Sequence, residues 1–302
     1  MSTFTRILVV GATGAQGGSV ARHLLHAGSH QVRCLTRRPG SAEARELGRL
    51  GAEIVEGDLR DPATLRAALR DCDGAFGMTD YWEHFEHEFA HGCNFVNALC
   101  ASGIRHTVLS TLPHARMLSG GRLSVPHFDT KGRIEEYARS TGLPATYVHI
   151  AFYYENFLSR FAPRRQRDGS YAFDFPQGST PLAAVAVEDI GGVVAAVFAE
   201  SFWYRDKVVG IVGDDLRCDE YTDAMHRVLG RQFAYRYVAH DAFAGRDMLG
   251  AAALADMFEF NRRYVLNRRL DLVKSRELYP RIRPFERWLR DHTSEFQRAL
   301  AS

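Results

Sequence analysis

Short apolar runs alternate with stretches of helical spacing through the first half of the chain. Runs typical of buried strands cover residues 7–10, 31–35, 53–58, 74–78, 106–110 and 145–150. Apolar residues at helical spacing continue through Leu25 and recur over 41–50, from 61 onward, over 86–102 and over 129–141. This alternation predicts an α/β fold of Rossmann type, a doubly wound parallel sheet that binds ligands at the carboxyl ends of its strands.

The pattern becomes less regular beyond residue 150. Residues 164–175 are polar, charged and aromatic, as in a loop or hairpin lying over a site. We predict helices over 187–199 and 218–229, strands over 208–212 and 233–238, and an amphipathic tail over 284–300. The chain is therefore expected to form a nucleotide-binding domain over 1–152 and a smaller α/β lobe over 153–302, interleaved with the first.

A glycine-rich turn joins the first strand to the first helix, and its residues are Gly11, Ala12, Thr13, Gly14, Ala15, Gln16 and Gly17. Gly11 allows a tight turn, Gly14 lets the backbone approach a pyrophosphate, and Gly17 lets the helix pack on the strand. The free N–H groups of the helix then face the phosphates. A plain tight turn is the alternative, but the order of strand, turn and helix favours a dinucleotide site.

Two arginines follow the second strand, in the sequence Thr36, Arg37, Arg38 and Pro39. A protein that prefers NAD usually carries an acidic residue there for the ribose hydroxyls. A guanidinium instead matches the geometry of a phosphate, whereas a carboxylate would repel it. The arginines therefore favour NADP(H), with a solvated basic loop as the alternative.

Composition and charge narrow the class of protein. The chain has 302 residues, of which 46% are hydrophobic, so it can bury a substantial core. A net charge of +2 and the absence of a recognition-helix motif argue against a nucleic-acid partner or an anionic membrane. Lysine occurs only at positions 131, 207 and 274, so each lysine is considered as a candidate functional residue.

The cysteines and the apolar runs point to a cytoplasmic protein. The five cysteines lack CxxC spacing, so we expect reduced thiols and no bound metal; they are Cys34, Cys72, Cys93, Cys100 and Cys218. No signal-peptide pattern opens the sequence, and no apolar run approaches the roughly 18 residues that span a bilayer.

Several segments together resemble one family. They are residues 11–22, Thr36 with Arg37, Gly57 with Asp58, and residues 79–83, 127–132, 153–157, 254–258 and 287–289. The chain resembles the NmrA-like branch of the atypical short-chain dehydrogenases, and within it the NADPH-sensing members of vertebrates most closely.

The resemblance implies a set of cofactor contacts. It implies that residues 11–16 hold the pyrophosphate, Arg37 the 2′-phosphate and Lys131 the nicotinamide ribose. The remaining implied contacts are Asp58 and Leu59 at the adenine, Thr79, Asp80 and Tyr81 along the cofactor, and Tyr153, Tyr154, Glu155 and Asn156 beside the nicotinamide. One departure is that a lysine of the sensor members is missing near Ala90, so a phosphate contact is absent or is replaced by a neighbour such as His91.

Ordinary short-chain dehydrogenases use Tyr-x-x-x-Lys for proton transfer. Here His127 and Lys131 have that spacing, which places both on one face of a helix. His127 has a suitable intrinsic pKa for acid–base catalysis, with a structural histidine as the alternative. Lys131 is expected to contact the cofactor, with a solvated surface lysine as the alternative.

Other hydroxyl groups are weaker candidates for contacts with a substrate. Ser110 and Thr111 end the fifth strand, where the family's hydroxyl partner usually lies, although serine is common at strand ends. The phenols of Tyr81, Tyr153 and Tyr154 could meet a substrate or simply line a pocket.

Two functions are compatible with these residues. The first is an NADPH-dependent reductase of a small carbonyl, quinone or imine, in which Lys131 and His127 are the candidate catalytic residues. The second is a non-catalytic NADP(H) redox sensor that regulates a protein partner, since the usual tyrosine is absent. The expected partners are thus a small molecule or a regulated protein, and the expected state is a monomer or homodimer.

Overall fold

Strands and helices alternate through the chain in a computed structural model that describes residues 4–301. The strands are β1 Arg6–Val10, β2 Gln31–Thr36, β3 Glu53–Glu56, β4 Gly74–Gly77, β5 His106–Thr111, β6 Ala145–Ile150, β7 Phe152–Tyr153, β8 Arg164–Arg165, β9 Tyr171–Phe175, β10 Leu182–Val185, β11 Val208–Ile211, β12 Asp214–Leu216 and β13 Phe233–Tyr237.

The helices of the first half flank these strands. They are α1 Ala15–Ala27, α2 Ala42–Arg49, α3 Pro62–Leu69, α4 Tyr81–His84, α5 Glu88–Ser102, α6 Ala115–Leu118 and α7 Pro126–Ser140. The later helices are α8 Val187–Ala199, α9 Ser201–Tyr204, α10 Cys218–Leu229, α11 His240–Ala244, α12 Ala251–Tyr264, α13 Arg269–Leu278, α14 Phe285–Asp291 and α15 Thr293–Ala299, and Phe85–His87 and Tyr154–Leu158 form short 3-10 helices.

Seven strands form one sheet in the order β11-β6-β5-β4-β1-β2-β3. The neighbouring pairs from β6 to β3 are parallel. Chain order reverses between β1 and β4, which is the switch point where such sheets bind ligands beyond their carboxyl ends. The predicted Rossmann-type sheet is therefore confirmed.

Strand β1 lies inside this sheet, between β4 and β2. Its residues Ile7, Leu8 and Val9 are fully buried. A continuous apolar run suits a parallel strand because helices cover both faces. The first strand of the chain thereby fixes the position of the glycine turn that follows it.

The predicted helix over residues 86–102 has a more complex start. The chain forms α4, then the 3-10 turn Phe85–His87, and only then the long helix α5 from Glu88. Phe85 has a φ of 39°, a left-handed conformation that interrupts the helix. By contrast, α3 begins as predicted, with Asp61 Oδ1 accepting from Ala63 N at 2.8 Å and Pro62 at its first position.

The smaller sheets use strands from the second half. One has the order β12-β10-β7 and the other β13-β9-β8. Strands β8 and β9 are antiparallel, so residues 164–175 form the hairpin that was one of the two predicted alternatives. Its second strand is buried, with Phe173 and Phe175 almost inaccessible.

The chain divides into two compact units that interleave along the sequence. The first unit comprises the chain up to His114, His127–Ile150 and Glu188–Val209, and the second comprises Ala115–Pro126, Ala151–Val187 and the chain from Gly210 onward. Such units are defined by packing, so the prediction of a domain boundary at residue 152 stays a prediction. Among residues 4–301, no helix is both long and apolar enough to cross a membrane.

Candidate functional site

In the glycine turn between β1 and α1, Gly14 has space for a side chain, whereas Gly11 and Gly17 do not. Gly11 has a φ of 69°, which glycine adopts without strain. A Cβ on Gly17 would lie 2.3 Å from the Gly11 carbonyl oxygen, so close packing requires glycine there. A Cβ on Gly14 would meet only that same oxygen, at 3.4 Å. The turn itself therefore tolerates a side chain at Gly14, and what glycine provides there is access to the backbone from outside.

The first residue of α1, Ala15, is exposed next to Gly14. Gly14 is the N-cap of α1 and provides no side-chain hydrogen bond to the first turn. Gly14 N donates to Gly11 O at 2.9 Å, and the helix bonding begins with Gly18 N donating to Gly14 O at 2.9 Å. A helix start of this kind attracts anions, because N–H groups and the helix dipole point outward.

The end of β2 lies beside this turn. The hydroxyl oxygens of Thr13 and Thr36 are 3.5 Å apart, and Arg38 N donates to Thr36 Oγ1 at 3.1 Å. These contacts place residues of the turn and of the two-arginine segment next to each other. Ala12 is buried, whereas Ala15 is exposed and Gln16 is half-buried.

Arg37 forms an ion pair that the sequence did not reveal. Its Nη2 lies 2.6 Å from Glu83 Oε1 and donates to Glu83 Oε2 at 2.8 Å. Both side chains remain accessible, with 42% of Arg37 and 47% of Glu83 exposed. The guanidinium predicted to bind a phosphate thus has a carboxylate as its neighbour.

Asp58 and Leu59 follow β3 at the same edge of the sheet. Arg60 donates from Nε and Nη2 to Asp58 Oδ2 at 2.9 and 2.7 Å, and this bonding lowers the pKa of Asp58. Leu59 is half-buried against the core, and its carbonyl accepts from Asn94 Nδ2 at 3.0 Å. Asp58 is thereby kept ionised and fixed in position.

The residues after β4 continue along this edge. Asp80 caps α4, with its Oδ1 accepting from Trp82 N at 3.0 Å and Glu83 N at 3.3 Å. The Tyr81 ring packs against Trp82 and Phe85, with centroids 5.4 and 5.5 Å apart. Asp80 therefore has a structural role in holding the segment that carries Glu83.

Lys131 lies in a buried polar cluster with Thr79 and Glu88. Its Nζ donates to the Thr79 carbonyl at 2.5 Å and to Thr79 Oγ1 at 3.1 Å, and it forms an ion pair with Glu88 Oε1. Thr79 Oγ1 donates to the same Glu88 oxygen at 2.6 Å, while Glu88 is fully buried. Lys131 is only 13% exposed, so it is not the solvated surface lysine of the alternative interpretation.

His127 lies one helical turn before Lys131 on α7 and is buried at 6% exposure. Its ring centroid is 5.2 Å from that of Trp82 and 5.8 Å from that of Tyr81. The packing supports a structural role, and the proposed proton transfer by His127 stays a prediction.

A second network lies further along the same face of α7. Glu135 Oε2 accepts from Thr111 Oγ1 at 2.7 Å and lies 2.9 Å from His149 Nε2, while Arg139 Nε donates to Glu135 Oε1 at 3.0 Å. Burial raises the pKa of Glu135, but the bonds from His149 and its other partners outweigh this and lower it. The Thr111 hydroxyl is thus engaged by Glu135, and Ser110 is buried.

His91 does not supply the charge of the missing family lysine. It is 6% exposed, and its ring packs against His84 with centroids 4.7 Å apart. Burial and the neighbouring His84 lower the pKa of His91 from 6.5, so the ring is neutral near pH 7.

The predicted nicotinamide segment belongs to the second unit. Tyr154 is fully buried with its ring against Phe285 and Trp288, at 5.2 and 5.3 Å. The Glu155 carboxylate accepts from Val187 N at 3.0 and 3.2 Å. These side chains support the fold of that unit, and the cofactor contacts of Tyr153, Tyr154, Glu155 and Asn156 stay a prediction.

Comparison with known proteins identifies relatives. The NmrA-like family model matches residues 3–289. An NmrA-like family domain-containing protein of Dictyostelium discoideum is 26% identical, covering 77% of this chain and 80% of the relative. The NmrA-like family domain-containing oxidoreductase FrzB of a Cladobotryum species is 31% identical, covering 85% and 83%. These relatives do not support the expected special likeness to vertebrate sensors.

Solved structures share the fold. The negative transcriptional regulator Nmra in complex with NADP superposes with a TM-score of 0.81 at 21% identity, covering 99% of both chains. An NADPH-dependent quinone oxidoreductase of Escherichia coli, complexed with NADPH, gives 0.80 at 22% identity, covering 95% of this chain and 99% of that one.

Proposed function

The chain belongs to the NmrA-like family, and on that premise we propose that it binds NADP(H) and reduces a small electrophile such as a carbonyl, a quinone or an imine. The observation that carries the proposal is the open backbone at Gly14, at the start of α1, beside Arg37, which directly follows the end of β2 at Thr36. An open helix start suits a pyrophosphate, and a guanidinium suits a further phosphate.

The residues of the first unit fit the cofactor in chemical type. The N–H groups at the start of α1 would hold the pyrophosphate, and Arg37 would hold the 2′-phosphate. Asp58 and Leu59 would lie at the adenine, and Thr79, Asp80 and Tyr81 along the cofactor. Lys131, which Glu88 and Thr79 already hold in place, would bind the nicotinamide ribose.

The bound nicotinamide would supply a hydride, and the chain would supply orientation and a proton donor. Lys131 is the better-supported participant because its ammonium is held by both Thr79 and Glu88. Related proteins support the reaction class: one is named an oxidoreductase and another an NADPH-dependent quinone oxidoreductase.

Turnover is tested by following NADPH absorbance with a panel of quinones, carbonyls and imines. We expect oxidation with at least one class, and we expect Lys131→Met, once circular dichroism shows it to be folded, to slow it by about 100-fold through loss of orientation. Lys207→Met is the matched control, because Lys207 is an exposed lysine of the same unit. Tight NADPH binding without oxidation by any acceptor would reject the reductase.

The second candidate is a binding-only NADP(H) sensor that regulates a protein partner. The burial of His127 under Tyr81 and Trp82 favours it, because that ring is poorly placed to exchange protons with a substrate. A sensor requires its partner to bind the free and loaded forms with different affinity. Pull-down with and without NADPH distinguishes the two, since equal recovery of the partner would reject sensing.

A further inference from the structure

We propose that Glu83 sets the preference of this chain between NADP(H) and NAD(H). Its carboxylate lies directly against Arg37, the group proposed to bind the 2′-phosphate that distinguishes the two cofactors. The inference rests on the proposed function, because it concerns the same nucleotide site. Glu83 acts here as a specificity-determining residue that weakens the selectivity Arg37 provides.

The position of Glu83 is fixed by the chain around it. The Glu83 N–H donates to Asp80 Oδ1 at 3.3 Å, within the cap of α4. Next to it, Trp82 packs its ring on His127 and on Phe85. The carboxylate therefore meets Arg37 from an anchored segment, and the 2.6 Å approach to Nη2 places any anion bound by Arg37 within a few ångströms of Glu83.

Two effects weaken the binding of a 2′-phosphate at this place. The phosphate must displace an exposed carboxylate from Arg37, which costs little because exposed ion pairs contribute weakly. The displaced carboxylate then remains beside a phosphate of the same sign, and like charges at this distance repel. The 2′-hydroxyl of NAD(H) carries no charge, so neither effect weakens its binding.

Neither Arg60 nor His84 pairs with Glu83 closely enough to neutralise its charge. Arg60 donates from Nε and Nη2 to Asp58 Oδ2 at 2.9 and 2.7 Å and so is engaged by that carboxylate. His84 Nε2 is 3.8 Å from Glu83 Oε2, beyond hydrogen-bonding distance. Arg37 is thus shared between Glu83 and the phosphate, and loss of the carboxylate would free it for the phosphate.

The test is calorimetric titration of NADPH and NADH into the full-length protein and its Glu83→Gln variant. Glutamine keeps the size of the side chain and removes the charge. We expect NADPH to bind about tenfold more tightly to the variant, and NADH affinity to change by less than about twofold. The gain for NADPH should shrink at high salt because both charges are exposed.

Glu86→Gln is the matched control, since Glu86 is an exposed carboxylate three residues further along the chain. It makes the same charge change and leaves the partner of Arg37 in place, so we expect the ratio of the two affinities to stay that of the parent. If Glu83→Gln also leaves this ratio unchanged while both nucleotides bind, the inference is overturned and the proposed function stands. If neither nucleotide binds the parent protein, both are overturned.

Discussion

Glu88 is a fully buried charged side chain of the candidate site. Its Oε1 accepts from Lys131 and Thr79, and its Oε2 is buried without a hydrogen-bond partner among the residues described. Burial of a charge is costly unless it is paired, so the partners in such a cluster depend on each other. Lys131 therefore requires Glu88 both to stay buried and to keep its position.

We predict that Glu88→Ala lowers the free energy of unfolding by about 3–5 kcal/mol, because it leaves the Lys131 ammonium largely buried without its carboxylate. Urea denaturation followed by circular dichroism measures this. Glu86→Ala, at an exposed position two residues earlier, should change stability by less than about 0.5 kcal/mol. Equal midpoints for the two variants would show that the buried pair contributes nothing.

His106 gives the fold a dependence on pH. It lies in β5 with its Nε2 3.0 Å from Thr146 Oγ1, and burial, with a smaller contribution from Arg205, lowers its pKa from 6.5 to about 4. The unfolded chain takes up a proton as the pH falls below 6.5, whereas the folded chain does so only near 4. His106 therefore does not oppose folding above pH 6.5, and the free energy of unfolding decreases as the pH falls from 6.5 towards about 4.

We predict that His106 accounts for a loss of about 2 kcal/mol in the free energy of unfolding between pH 7 and pH 5. Urea titrations at the two pH values, on the parent protein and on His106→Gln, measure it. Glutamine keeps an N–H that can donate to Thr146, and it does not titrate. A variant that loses as much stability as the parent would show that His106 is not responsible.

In the strand–turn–helix unit of β1 and α1, one glycine is required for packing and another for access to the proposed cofactor. A Cβ at Gly17 would clash with the Gly11 carbonyl at 2.3 Å, whereas one at Gly14 would meet it at 3.4 Å. Gly14 has φ of −99° and ψ of −175°, which any residue can adopt. The two positions are therefore expected to respond differently to the same substitution.

We predict that Gly17→Ala destabilises the protein by about 1–3 kcal/mol through overpacking. Gly14→Ala should change stability by less than about 1 kcal/mol, the usual range for an N-cap, yet weaken NADPH binding at least tenfold. Thermal unfolding and calorimetric titration of both variants provide the comparison. Unchanged NADPH affinity in Gly14→Ala would place the phosphates elsewhere.

Some helices and strands could be predicted from the sequence, and other features could not. Strands β1 to β6 follow from short apolar runs bounded by turn residues, and the start of α3 follows from Asp61 and Pro62. The break at Phe85 does not, because no local pattern predicts a left-handed φ for phenylalanine. Glu83 and Glu88 escape sequence analysis because their partners lie 46 and 43 residues away.

At the scale of the molecule, most of the predicted cofactor contacts belong to the first unit. The glycine turn, Arg37, Asp58, Thr79 and Lys131 all belong to the first unit, although they span more than a hundred residues of sequence. Parallel strands make this possible, because their carboxyl ends meet at one edge of the sheet. The sequence could therefore predict which residues gather there, but not the carboxylates that pair with them.

Calorimetric titration with NADPH tests whether Arg37 and the start of α1 form the proposed NADP(H) site. We predict binding to the parent protein and a loss of at least about tenfold in NADPH affinity in Arg37→Ala, with NADH affinity little changed. No binding heat with NADPH, or a preference for NADH in the parent that persists in Arg37→Ala, would contradict the account.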